Sequence, residues 1–316
     1  MRVHEFLKLY ESGHRNFKGV NLSGVDLSNC ILVNVDLSGA NLIGANFSRA
    51  FLTKGQFIGA QLQRADLRFA KLSESNFSHA NLTKAKARGA FWVKSELSHA
   101  RLSGTQLAHV NFRQSSLHCT NFSGAALPGV NLREAQLNGA NLAWANLSGA
   151  RLYGANITAV QFNGAHLERA RLNGLNFQGV DLNGINFSHA HMKGTNLQQT
   201  NLTAANLSFA QLQHANLQQA KMVGANLHDT QLQRANLVDA DLRRTNLEQA
   251  DLAGAVLTQP VLETSELAHI NSSQGLFNRE PIAIPFTQTR AINSKLTMEL
   301  FSTVVVGHPL PNTKYS

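Results

Sequence analysis

From Phe17 to Leu267 the chain places an apolar residue at every fifth position, without one insertion or deletion. We denote the central residue of each pentad i. Across 51 consecutive pentads the centre is Leu in 37 and Phe in nine, and the others are Met192, Met222, Ile157, Trp92 and the small Ala87. Position i−2 is Ala in 28 pentads, position i−1 is Asn in 21, and position i+2 holds 19 of the 23 glycines. A period of five suits neither regular element. On an α-helix it advances the side chain by about 500°, so the apolar stripe would wander round the axis. On a strand an odd period sends alternate centres to opposite faces. The chain must therefore turn once per pentad, and a path that turns by a constant amount closes into stacked coils. The centre and the small i−2 residue point inward. Asn at i−1 points outward and is expected to tolerate replacement. Gly at i+2 suits the corner.

The polar positions predict how many pentads close one coil. Among the first 16 pentads, i−1 is Asn, Asp or Gln except at Ile31, Phe51, Lys71, Lys86 and Phe91. Four of these five are spaced by 20, which predicts four faces per coil with Ile31, Phe51, Lys71 and Phe91 stacked on one of them. At a strand-like rise of ~4.8 Å per coil, about 13 coils give a rod roughly 60 Å long.

The tandem Ala-Asn-Leu-x-x of Ala140–Trp144, Ala145–Gly149 and Ala150–Gly154 resembles the pentapeptide repeat family. The resemblance covers residues 16–270. The opening, from Phe6 to Phe17, is similar to the start of many cyanobacterial members. It implies an all-β fold, a right-handed quadrilateral β-helix. Residues 1–15 are expected to form a cap, with a short helix over 2–12 whose Val3, Phe6, Leu7 and Tyr10 share one face. Residues 16–270 form the β-helix and 271–316, with four of the six prolines, an irregular tail. Leu175 and Ile185 replace the inward Ala and predict a locally wider or twisted stretch. Thr195, Thr200, Thr230 and Thr245 also replace it, and their hydroxyls need backbone partners if buried. The fraying pentads of 251–270 are a candidate homodimer contact.

Composition narrows the function. The formal charge is +9. Cys30 and Cys119 lie too many coils apart to bridge, and free thiols suit a reducing cytoplasm. No apolar run is long enough to span a membrane, and the first ten residues do not read as a signal peptide. The glycines follow the beat rather than a phosphate-binding motif, and no Ser, His and carboxylate share a register. A filled rod also lacks the pocket an enzyme needs. No catalytic residue and no cofactor are expected.

Two constellations remain. His79, His99 and Cys119 occupy i+2 one coil apart, a weak candidate for a metal because a straight edge suits a tetrahedral ion poorly. The face that begins at Ile31 carries Ile31, Phe51, Lys71 and Phe91, then Arg113, Arg133, Arg151, Arg171 and Lys193. Exposed apolar clusters mark contact sites, and a cationic stretch favours an acidic or mixed partner. This predicts a non-catalytic interaction scaffold. Nucleic-acid binding is the alternative, against which stand Glu74, Glu134 and the few aromatics available for stacking. The other reading of the face is a tail-covered apolar half beside a solvated basic half. The family's fluoroquinolone-resistance members resemble DNA and bind gyrase. Such mimicry needs an acidic surface, and here i−1 is Asp in only six pentads.

Overall fold

The computed structural model describes residues 1–258, 260 and 261. The expected tail, 271–316, and half of the candidate dimer contact at 251–270 lie outside the described residues. Helix α1 spans Val3–Glu11. Its Phe6 is fully buried and meets the Phe17 ring at 4.5 Å between centroids. Val3, Leu7 and Tyr10 pack partly buried against the same core, and the Tyr10 hydroxyl donates to the Val33 carbonyl at 2.9 Å. The helix thus lies over the first coil, whose apolar centres would otherwise be open to water.

Beyond α1 the described chain is a β-helix. With two exceptions, each i−1 residue forms a parallel bridge with the i−1 residue twenty positions later, from Asn16↔Asp36 to Asp241↔Val261. Four pentads therefore make one coil. We number the faces in chain order, so that Asn16, Asn21, Asp26 and Ile31 open faces 1 to 4. Centres are buried along the described rod, as are the i−2 residues apart from exposed Arg15 and partly buried Val20, Val25, Cys30 and Val180. Aromatic centres stack between coils, as Phe57 does on Phe77 at 4.4 Å and Trp92 on Phe112 at 5.3 Å. The coil that holds Trp92 also holds Ala87, so a large centre and a small one share a fixed interior volume. The hydroxyls of Thr195, Thr200, Thr230 and Thr245 all donate to backbone carbonyls of Leu or Met centres, at 2.6–2.9 Å.

One pentad shows where the backbone bonds go. The Leu42 amide donates to Gln61 O, Gly44 to Gln63 O, and Asn46 back to Val25 O, all between coils, at 2.8–2.9 Å. The Ala45 amide donates to Leu42 O at 3.0 Å, closing a β-turn. The fifth amide, that of Ile43, donates to Asn41 Oδ1 at 3.2 Å. Asn at i−1 is thus the acceptor that completes the pentad's hydrogen bonding. The same bond joins Ala143 N to Asn141 Oδ1 at 2.9 Å, so an outward Asn also serves the backbone.

The corner is left-handed at every repeat. All 48 i+2 residues from Gly19 to Gly254 have positive φ, including Trp144 at 60° and Lys54 at 59°. A turn whose third residue alone has positive φ has the type II pattern, which favours Gly there and accepts Pro just before it, as at Pro128. Where i+2 is not Gly, its side chain leans toward the next coil. A Cβ on Gly164 would come within 2.4 Å of the Trp144 ring, and one on Gly129 within 2.5 Å of His109. Glycines in the next coil therefore make room for bulky corners.

The ladder opens once. Asn156 and Asn176 form no bridge, nor do Gln161 and Asp181, while faces 3 and 4 stay paired beside them at His166↔Asn186 and Arg151↔Arg171. Val160, Leu175, Val180 and Ile185 replace the inward Ala here, and the added volume spreads the coils.

Candidate binding face

Face 4 differs from the others in its i−1 column. On faces 1, 2 and 3 this position is Asn or Asp in eight pentads each, whereas on face 4 it is so in three of twelve, at Asn111, Asn131 and Asp251. The rest of the column carries Ile31, Phe51, Lys71, Phe91, Arg151, Arg171, His191, Gln211 and Gln231, bridged in succession along the rod. Each substitution gives up the acceptor for the i+1 amide. The amides of Val33, Thr53, Ser73, Val93, Tyr153 and Asn173 accordingly find no acceptor among the described residues.

What replaces Asn falls into two zones. The first coils expose apolar surface: Ile31 is 67%, Phe51 46% and Phe91 37% exposed. Lys71 lies between the two Phe residues, with its ammonium 3.6 Å from the centre of the Phe91 ring. The coils that follow are cationic. Arg113, Arg133, Arg151, Arg171 and Lys193 are all exposed. Over its outward positions face 4 carries nine Lys or Arg against three carboxylates, whereas face 3 carries five of each and face 1 one against three. Face 2 is also basic, with six against two, but four of its six cations are at i+1 or i+2, where no backbone acceptor is surrendered. All three face 4 carboxylates are engaged, Asp251 by the Gln233 side chain at 2.5 Å and the Ala253 amide at 3.0 Å. Glu74 pairs with Lys54 and Glu134 with Arg113, each at 3.8 Å, and Gln114 Nε2 donates to Glu134 at 2.6 Å. Lys94, Arg133, Arg151, Arg171 and Lys193 make no salt bridge among the described residues.

The nine residues singled out from the sequence therefore lie on one face, with Arg113, Arg133 and Lys193 in a second column two residues along the chain. Tyr153, 61% exposed, stands in that second column between Arg133 and Lys193. Sequence reasoning missed it, although its register position would have identified it. Further along, Lys193, Gln211, Gln213, His214, Gln233 and Arg234 line a shallow groove of about 640 Å³ on the same face.

The weak metal candidate lies at the corner after face 1. His79 and His99 stack with ring centroids 5.0 Å apart and 3° between planes. Among the described residues no group of three His, Cys, Asp or Glu is placed to hold a metal ion. No described helix is long and apolar enough to cross a membrane.

The Pentapeptide repeats family matches this chain in successive segments from 16–55 to 220–259. The chain belongs to that family, whose members fold as right-handed β-helices. Among solved structures it is similar to HetL, a pentapeptide repeat protein involved in heterocyst differentiation regulation from Nostoc sp. strain PCC 7120. The identity is 28%, over 80% of this chain and 97% of HetL, with a TM-score of 0.47. It is also similar to QnrB1, a plasmid-mediated fluoroquinolone resistance protein, at 21% identity over 48% of this chain and 81% of QnrB1, TM-score 0.40. The pentapeptide repeat protein Rfr23 from Cyanothece 51142 is 21% identical over 52% of this chain and 94% of Rfr23, TM-score 0.16. No curated protein matches the chain.

Proposed function

We propose that this protein is a non-catalytic binding and regulatory module of the cytoplasm, a rod of about 13 square coils that presents face 4 to an acidic or mixed protein partner. One observation carries the reading. Face 4 surrenders in nine of twelve pentads the Asn or Asp that the other faces keep in most of theirs. Where the i+1 amide then finds no acceptor, a hydrogen bond of about 0.5–1 kcal/mol is forgone, and the apolar and cationic side chains of the first eight coils stand exposed in its place. A site that gives up local stability for a particular surface has the character of a functional site.

Nucleic-acid binding is the second reading, favoured by the unpaired cations. Its signature is an affinity that falls steeply with salt. Gyrase modulation by DNA mimicry is disfavoured by the positive charge. A homodimer through residues 251–270 is proposed from Val256 and Val261, 40% and 46% exposed at the end of the described rod.

The test is affinity capture from host lysate, with and without nuclease. Wild type is compared with a variant carrying Phe51→Ser, Phe91→Ser, Arg151→Ser and Arg171→Ser. A protein held by wild type, insensitive to nuclease and lost by the variant is the expected result. Loss on nuclease treatment would favour nucleic acid, and equal recovery by both baits would remove face 4 from consideration.

A further inference from the structure

We propose that face 4 takes one extended acidic polypeptide segment lying along the rod axis, with an apolar end over the first four coils and carboxylates over the coils from Arg113 to Lys193. The proposal rests on the reading of face 4 as the binding face and adds the chemistry and register of what it binds.

The face is graded along its length: its exposed aliphatic and Phe side chains gather at one end, interspersed with Lys54, Lys71 and Lys94, and the other end is chiefly cationic. Ile31, Phe51 and Phe91 are exposed at one end. From Arg113 to Lys193 the outward positions hold five Lys or Arg and the single carboxylate Glu134, which Gln114 and Arg113 already engage. A segment that matches both zones must itself be apolar at one end and acidic at the other, since complementary charge sets register along an interface.

The backbone supplies a second match. Where i−1 is Asn or Asp, its side-chain oxygen accepts the i+1 amide, as Asn141 does for Ala143. On face 4 the amides of Tyr153 and Asn173 have no such acceptor among the described residues, and their coils carry Arg151 and Arg171 instead. An Asp or Glu brought by a partner can supply the missing oxygen and meet the guanidinium at the same time, a charge-assisted pairing. Neutral segments could fill the amide but would leave the cations unpaired.

Length follows from the coil spacing. Phe51 and Arg171 are six coils apart in the ladder, about 29 Å at ~4.8 Å per coil, which an extended chain covers in about nine residues. Nucleic acid fits the apolar end less well. Ile31 offers no ring for a base, and Lys71 already covers the Phe91 ring at 3.6 Å.

The test measures fluorescence anisotropy of labelled probes with the full chain. One peptide of 14 residues has a Leu/Phe-containing half followed by a Glu-rich half. A second has the same composition interleaved, a third is the Glu-rich half alone, and a single-stranded DNA of similar length is the fourth probe. The divided peptide should bind at least about tenfold more tightly than the other three. Phe51→Ser with Phe91→Ser, and separately Arg151→Ser with Arg171→Ser, should each weaken it at least about tenfold. Thermal melts of both variants establish that the rod is intact. Equal binding of the divided and interleaved peptides, or of the acidic half alone, would overturn the two-zone register while leaving face 4 an anion-binding surface. Tighter binding of DNA would overturn the polypeptide assignment. Failure of every peptide to bind would overturn the inference, and the capture experiment would then decide separately whether face 4 binds any partner.

Discussion

Faces 2 and 4 are built on the same repeating backbone, and they differ chiefly in one column. On face 2, Asn121 and Asn141 hold the amides of Ser123 and Ala143 at 2.9 Å. On face 4, at the level of the next coils, Arg151 and Arg171 hold none. Inside, the two faces are alike: Leu142 and Leu152 are both fully buried. The difference shows that the pentad separates two duties. Its centre and i−2 residue set the fold, and i−1 can be withdrawn from local structure without breaking the ladder. A face where i−1 is withdrawn repeatedly is a face put to another use.

The largest effect should fall where the two faces agree. Leu142→Asp and Leu152→Asp each bury a carboxylate in a filled interior and should cost at least about 4 kcal/mol. Both should melt the neighbouring coils to a similar extent in a thermal denaturation followed by circular dichroism. A large difference between them would mean that the faces are not equivalent inside.

The next effect runs against the usual direction. Phe51→Asn, Phe91→Asn, Arg151→Asn and Arg171→Asn together convert face 4 to the pattern of face 2. Each new side chain can accept an amide that now has no acceptor, worth about 0.5 kcal/mol, and the stacked cations no longer repel. The fourfold variant should be more stable than wild type by about 2 kcal/mol in urea titration and should bind no partner. Stabilisation with binding retained would show that these residues are not held for recognition.

A smaller contrast lies within face 2. Asn141→Ala removes the acceptor for the Ala143 amide and should cost about 1 kcal/mol. Gln161→Ala, one coil on, removes a side chain that accepts no i+1 amide among the described residues and should change stability by less than about 0.5 kcal/mol. Equal losses in urea titration would separate the value of Asn at i−1 from the hydrogen bond seen there.

Much of this was legible in the sequence. The 20-residue spacing of Ile31, Phe51, Lys71 and Phe91 predicts the coil that the bridges form, because outward residues on one face must recur once per coil. Leu175 and Ile185 predict the disturbed stretch, since extra inward volume cannot be hidden in so narrow a core. The role of Asn141 was not legible, because a polar outward residue reads the same whether it meets water or the backbone. Nor were the left-handed corners at Lys54 or Trp144, where the repeat imposes a conformation that the residue itself disfavours. Tyr153 escaped notice because an isolated aromatic means little until its column is known.

The smallest effect concerns pH, and it too follows the i−1 column. Asp66 and Asp241 occupy it on faces 3 and 2. Burial raises the pKa of Asp66, but hydrogen bonds from the Arg68 side chain and amide outweigh it and leave the pKa below the ordinary value. For Asp241 the hydrogen bond from the Arg243 side chain is the main cause, and the pKa is again lowered. A folded pKa below the unfolded one contributes stability that is complete above the unfolded value, about 3.9, and is lost as pH falls through the folded value. These two groups should therefore leave stability unchanged above about pH 5 and weaken the rod below about pH 4. Asp66→Asn and Asp241→Asn keep an oxygen for the i+1 amide while removing the charge. At neutral pH each should cost less than about 1 kcal/mol, because the paired arginines are half exposed and the ion pairs are screened. Below pH 4 the double variant should lose less stability than wild type. Parallel urea titrations at pH 7 and pH 3 measure both differences, and an unchanged acid loss in the double variant would place the sensitivity elsewhere on the rod.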